Sequence, residues 1–174
     1  MKRSEARSAL EGMTRHAMKA VAIDACLPIV EESGPVRLMP YLDHVADALS
    51  RSLMQGSPRL SLTVNPLCSA LPADEVILIG LMLAELVTNA VKRASGGGPQ
   101  GTIAMSFEMA GPHWRLTVSD DGRRDDVDLA GREAQTVTSV VEAIARKLDA
   151  SVACSHTILE GTTISVTRSQ LQKS

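Results

Sequence analysis

The apolar positions of this chain change period several times, and the changes mark out its elements. From Ser4 to about Ile29, Ala9, Leu10, Met13, Ala17, Ala20, Val21 and Ala25 recur at three- and four-residue steps, the period of a helix face. That stripe is thin and Ala-rich, so packing on its own domain or pairing with a second chain are both open ways to cover it. Pro28 ends or kinks the helix. The linker from Glu31 to Arg37 carries Ser33, Gly34 and Pro35 and predicts a turn. A second amphipathic helix is expected from about Met39 to Leu53, with Leu42, Val45, Ala46, Leu49 and Leu53 on one face.

The period then drops to two. Arg59 to Val64 alternates as a half-buried strand does, and a long apolar helix is expected from roughly Asp74 to Ala94, with Asp74 and Glu75 in its first turn, where the helix dipole favours acids. TIAMSFEM turns Ile103, Met105, Phe107 and Met109 inward, and HWRLTVS does the same with Trp114, Leu116 and Val118. The two runs read as a hairpin through Gly111-Pro112. The charged run Asp120 to Glu133 predicts a surface loop. Thr136 to Leu148 returns to helical spacing, with Val137, Val140, Val141, Ile144, Ala145 and Leu148. SVACSHTI and TTISVTRS form a second hairpin through Leu159-Glu160-Gly161, and Gln170 to Ser174 is a frayed end. The fold class that follows is α/β, an α+β two-layer sandwich: a mixed, mostly antiparallel sheet with helices on one face, preceded by an N-terminal helix.

Composition narrows the functions open to it. With 174 residues the chain holds one domain, or one domain and a helical appendage. The formal charge of -2, with acids and bases intermixed, offers no basic stripe, and Tyr41, Phe107 and Trp114 are its only aromatic residues, so no nucleic-acid partner is expected. Cys26, Cys68 and Cys154 are far apart in sequence and read as reduced core thiols. His44, His113 and His156 have no carboxylate or cysteine at ligand spacing and read as ordinary histidines. The N-terminus lacks a leader's apolar run, and Val76 to Val87 is too short to span a bilayer and is broken by Gly80 and Glu85. A cytoplasmic chain with no membrane insertion of its own is the expectation.

The stretch ELVTNAVKRA, Glu85 to Ala94, carries the most pointed chemistry. On a helix, Glu85, Asn89 and Lys92 stand at i, i+4 and i+7, so a carboxylate, an amide and an ammonium share one face, opposite the apolar stripe of Ile79, Met82, Leu83, Leu86 and Ala90. Such a row is either the wall of a site for a metal and phosphates or the solvated face of an amphipathic helix.

The order of elements, E-L-x-x-N-A-x-K on a helix, a hairpin ending V-x-D-D-G, a loop, a helix, and a hairpin with G-T, resembles the ATP-binding domain of sensor histidine kinases, of the superfamily shared with gyrase and a heat-shock chaperone. ELVTNAVKRA is similar to that family's N box, and SDDG to the start of its first glycine box. SALEGMTRHAMKAVA and ESGPVRLMPYLDHVADAL resemble the passage from the second dimerisation helix into the ATPase domain in the subgroup whose acceptor motif is H-R-x-K-N-N. The resemblance divides the chain into a partial dimerisation segment, 1–33, and an ATP-binding domain, 34–174, and implies a homodimer that meets a response regulator or partner kinase. It implies ATP and Mg²⁺ as cofactors. Asn89 would coordinate magnesium, Lys92 approach the phosphates, and Glu85 act as the catalytic residue that holds water near them. Asp120 would take the adenine amino group, with Gly122 letting the backbone approach the ring, and Thr162 after Gly161 would support the adenine end.

The pattern also departs from the family. The first glycine box, D-x-G-x-G, here ends in Arg124, and the second would fall near Gln135 and Val137, where both glycines are gone. Side chains at these positions would crowd a triphosphate. No H-R-x-K-N-N string occurs, and His16 is the only histidine on a candidate dimerisation helix. Three readings follow: a histidine-kinase-like ATP-binding protein that transfers phosphoryl groups to histidine in two-component signalling, a non-catalytic pseudokinase that dimerises and docks, and a serine kinase of the anti-sigma-factor type.

Overall fold

A computed structural model of the chain describes residues 34–53, 59–64, 70–94, 102–121, 137–157 and 161–169. The expected helix from Ser4 to Ile29, His16, Cys26, Cys68, and the loop positions Gly122, Arg123, Arg124 and Gln135 lie outside the described residues.

Strand β1 (Val36–Arg37) leads directly into helix α1 (Leu38–Leu53). Pro40 falls in the first turn of α1, where a missing N–H costs no helical hydrogen bond. Strands β2 (Arg59–Val64) and β3 (Ala70–Leu71) precede helix α2 (Ala73–Ala94), and strands β4 (Thr102–Ala110) and β5 (His113–Asp120) follow it. Helix α3 (Ser139–Lys147) and strands β6 (Ser151–Thr157) and β7 (Gly161–Arg168) complete the order.

The main sheet runs β2-β4-β5-β7-β6; β2 and β4 are parallel and the other neighbours antiparallel. A parallel pair needs a crossover, and α2 lies in it. One sheet face is apolar: Ile103, Met105, Phe107 and Met109 on β4, Trp114, Leu116 and Val118 on β5, and Ile164 and Val166 on β7 are all buried. The helices cover that face, as the alternation predicted. Each such side chain gives about 2 kcal/mol by leaving water. The opposite face carries short polar residues, with Ser119 and Thr163 hydroxyls 3.0 Å apart across β5 and β7.

Helix α2 is the centre of the packing. Val76, Ile79, Met82, Leu83, Leu86, Val87 and Ala90 are fully buried, which accounts for its length in a chain poor in aromatics. Gly80 sits where the Tyr41 ring of α1 crosses α2, and a Cβ there would collide with the phenol. The glycine weakens the helix by about 1 kcal/mol relative to alanine but lets α1 approach closely.

Three local expectations need correction. Val36 and Arg37 are not turn residues: they pair with Leu71 and Ala70 in a two-stranded clip. Asp120 does not begin a surface loop; it is the last residue of β5 and is 2% exposed, because the alternation of β5 continues one step further than its apolar residues. Val140 is 42% exposed, since Thr138 caps α3 and the buried stripe becomes Val141, Ile144, Ala145 and Leu148.

Candidate functional site

Strand register builds one end of the site. Asp120 on β5 stands opposite Thr162 on β7, and Thr162 stands opposite His156 on β6. Directly opposed residues share a face of the sheet. This polar row therefore continues, on the helix-covered side, the apolar rows Val118–Ile164–Cys154 and Leu116–Val166–Val152. Asp120 and Thr162 are nearly inaccessible, at 2% and 4% exposure, and His156 Nδ1 lies 2.9 Å from Thr162 Oγ1.

Gly161 explains itself at this point. Its φ of 78° is left-handed, and a Cβ would run into the backbone carbonyl of Asp120. The hairpin between β6 and β7 thus closes against the end of β5, and only glycine lets Thr162 come that near to Asp120. Asp121 secures the same edge from the other side: its carboxylate accepts the Thr102 N–H at 2.6 Å, and its own N–H donates to the Thr102 carbonyl at 3.2 Å.

Helix α2 carries the second group of residues. Glu75, near its start, pairs with Arg168 at the end of β7, the two charged groups 2.7 Å apart. The helix packs on β5 of the main sheet. Glu85 and Asn89 are both half-buried on the less covered stripe of the helix, as their four-residue spacing required. Lys92 belongs to α2, but its side chain lies outside the described residues. Thr88, one residue before Asn89, is turned inward and donates to the Ala84 carbonyl at 2.6 Å.

Asn89 has an unusual feature. Among the described residues its amide nitrogen is buried without a hydrogen-bond partner, as is the Trp114 indole N–H. A buried donor left unpaired costs about 1–3 kcal/mol, so this amide gains from any ligand oxygen that reaches it. The amide oxygen is a hard ligand of the kind magnesium takes, and the amide N–H matches a phosphate oxygen. The donor set thus fits a ligand that carries its own anionic oxygens and metal. Among the described residues no three or more His, Cys, Asp or Glu side chains gather as a metal cluster of their own.

The start of α3 is built differently. Thr138 caps it, its hydroxyl accepting from the Val141 N–H at 3.4 Å, and Val137 is half-buried and packs against the core. One of the free N–H groups at this helix N-terminus is already occupied by the chain's own side chain.

Residues 58–155 match the family described as the histidine kinase-like ATPase domain. The chain belongs to this family. It is 30% identical over 89 residues to blue-light-activated histidine kinase 2 of Erythrobacter litoralis (strain HTCC2594), a match covering 51% of this chain and 25% of that protein. The chain therefore spans about a quarter of that relative's length. Its fold is similar to the solved blue-light activated histidine kinase of Erythrobacter litoralis EL346, with a TM-score of 0.66 at 24% identity, over 79% of this chain and 43% of that one. The histidine kinase domain of the same protein superposes with a TM-score of 0.69 at 20% identity, over 88% and 73% of the two chains.

Within this histidine kinase-like domain, the structure gathers Asp120, Gly161 and Thr162 at one point and sets Glu85 and Asn89 on one face of α2. His156 is the residue that motif spacing passed over. Counting the hairpin register outward from Gly161 places it opposite Thr162, so the signal was present in the strand lengths.

Proposed function

We propose that this chain binds ATP with magnesium and serves as the nucleotide-binding part of a two-component histidine kinase system, supporting phosphoryl transfer to a histidine. The observation that carries the reading is the polar row of Asp120 and Thr162, nearly closed to solvent and formed around a glycine that tolerates no side chain; the Asn89 amide, unpartnered among the described residues, adds a donor on α2. Asp120 would accept from the adenine amino group and Thr162 would face the same edge. Asn89 would hold Mg²⁺ through its amide oxygen, Lys92 would meet the phosphates, and Glu85 would orient water beside them. Gly122 would let the backbone lie close to the ring. When bound, the ion supplies charge neutralisation on the phosphates. The protein's share is to position groups and to exclude water from the base end.

Domain 34–174 is the catalytic part of this proposal, and 1–33 is the segment through which two copies pair. Its partner is a response regulator or a partner kinase, in the cytoplasm. Among the described residues no helix is long and apolar enough to cross a membrane.

A second reading, a docking dimer without catalysis, is favoured by the start of α3, where Val137 packs inward and Thr138 occupies a helix N–H. Titration calorimetry of ATP with magnesium separates the two. Heat of binding at micromolar to millimolar nucleotide supports the first; none at millimolar concentration sinks it. Label from γ-phosphate should then appear on an acid-labile histidine of a partner, and acid-stable label on serine would redirect the chemistry. Deletion of residues 1–33 should convert a dimer to a monomer in sedimentation, and a monomeric full-length chain would refute the pairing role.

A further inference from the structure

One side chain touches the base end of this site and has no part in the chemistry proposed above. His156 stands on the edge strand β6, half-buried, with Nδ1 2.9 Å from the Thr162 hydroxyl oxygen. Thr162 is 4% exposed and faces Asp120, which is 2% exposed. Three strands therefore set an imidazole, a hydroxyl and a carboxylate in one transverse row.

The direction of each hydrogen bond in that row has chemical consequences. An ionised carboxylate only accepts; a hydroxyl has one proton and two lone pairs; a neutral imidazole donates through one nitrogen and accepts through the other. With Nδ1 as acceptor, the Thr162 proton is committed to His156 and the row meets a ligand with acceptors alone. With Nδ1–H as donor, His156 occupies a lone pair of Oγ1 and leaves the hydroxyl proton free beside Asp120. The edge of adenine carries an amino donor next to the ring acceptor N1, and its complement is an acceptor next to a donor. Only the Nδ1–H tautomer gives the row both.

We propose that His156 is a positioning residue for the base end of the site: its Nδ1–H holds Thr162 Oγ1 so that the hydroxyl proton is presented to ring N1 while Asp120 takes the amino group. This rests on the nucleotide-binding reading above and adds the group that sets the hydroxyl's direction. His156 meets no nucleotide itself; its effect passes through Thr162.

Titration calorimetry on the full chain with ADP and with 1-deaza-ADP, which keeps the amino group and lacks N1, reads this contact. The wild type should prefer ADP by roughly five-fold, the size of one neutral hydrogen bond. His156→Phe keeps a flat ring on the strand and removes the donor; it should weaken ADP by a similar factor and bring the preference to about one. His156→Asn, which returns an amide N–H near the Nδ1 position, should restore it. A wild type without the preference, a preference unchanged in His156→Phe, or a His156→Asn chain that behaves like His156→Phe overturns the proposal.

The ¹⁵N ring shifts of His156 in the nucleotide-free chain give a second readout. They should show the proton on Nδ1 and should move in Thr162→Val; a proton on Nε2 overturns the proposal whatever the binding data. If His156→Phe does not fold, these shifts decide the matter alone. A wild type that binds neither nucleotide while keeping the Nδ1–H signature overturns the nucleotide-binding reading, and the base-recognition role with it.

Discussion

The helix-covered face of the sheet ends differently at its two extremities. At the end near the start of α2, Phe107 and Trp114 stack with centroids 5.7 Å apart, the Arg168 guanidinium lies 5.5 Å from the Trp114 ring centre, and Arg168 reaches both Glu75 and the Pro112 carbonyl. At the other end the same face carries Asp120, Thr162 and His156. The first end joins helix, hairpin and last strand by apolar contact and an ion pair. The second sets a carboxylate, a hydroxyl and an imidazole in one transverse row. The lesson is a division of labour along one face: a ring stack and an ion pair fix the start of α2, while the strand ends at the other extremity carry the polar row.

That division predicts that substitutions at one end change stability and those at the other change affinity. Trp114→Ala should show the largest effect, a loss of about 4 kcal/mol in chemical denaturation, with nucleotide affinity kept in whatever fraction remains folded. Gly161→Ala should cost about 3 kcal/mol through its left-handed φ and the collision with the Asp120 carbonyl. It should also abolish nucleotide binding, because here the hairpin that closes the fold is also the floor of the site. A Gly161→Ala chain of unchanged melting temperature would show that the two strands can part without cost. Arg168→Met should cost about 1 kcal/mol, the scale of a partly exposed ion pair, and leave titration with ATP unaltered. Asn89→Ala should have the smallest effect on stability and the clearest on function. Removing an unpaired buried donor should leave stability unchanged or raise it by about 1 kcal/mol, while magnesium-dependent nucleotide binding disappears. Binding that survives in Asn89→Ala would move the metal elsewhere.

Much of this was legible in the residues, and the parts that were not have a common cause. Period-two and period-3.6 patterns located β4, β5, β7, α1 and α2 to within a residue or two, because each buries a long regular stripe. The clip of Val36–Arg37 with Ala70–Leu71 was not legible, since two residues have no period. Asp120 was misplaced because it is a polar residue in a buried strand position, and alternation marks such positions only when they are apolar. The face shared by Glu85 and Asn89 followed from spacing alone. The neighbourhood of Asp120 and Thr162 needed strand order, which places β7 between β5 and β6. The cap at Thr138, and with it the exposure of Val140, depended on one hydroxyl and shifted the start of α3 by three residues.

The parallel pairing of β2 with β4 has a consequence for how this molecule comes to be. The β4–β5 and β6–β7 hairpins are made from neighbours in sequence and can form early, whereas β2 meets β4 only after α2 has folded back across the sheet. The helix that bears Glu85 and Asn89 lies in that return path. The pairing of Asp120 with Thr162 spans 42 residues and that of Arg59 with Thr102 spans 43, so the candidate site and the parallel edge both wait on long-range closure.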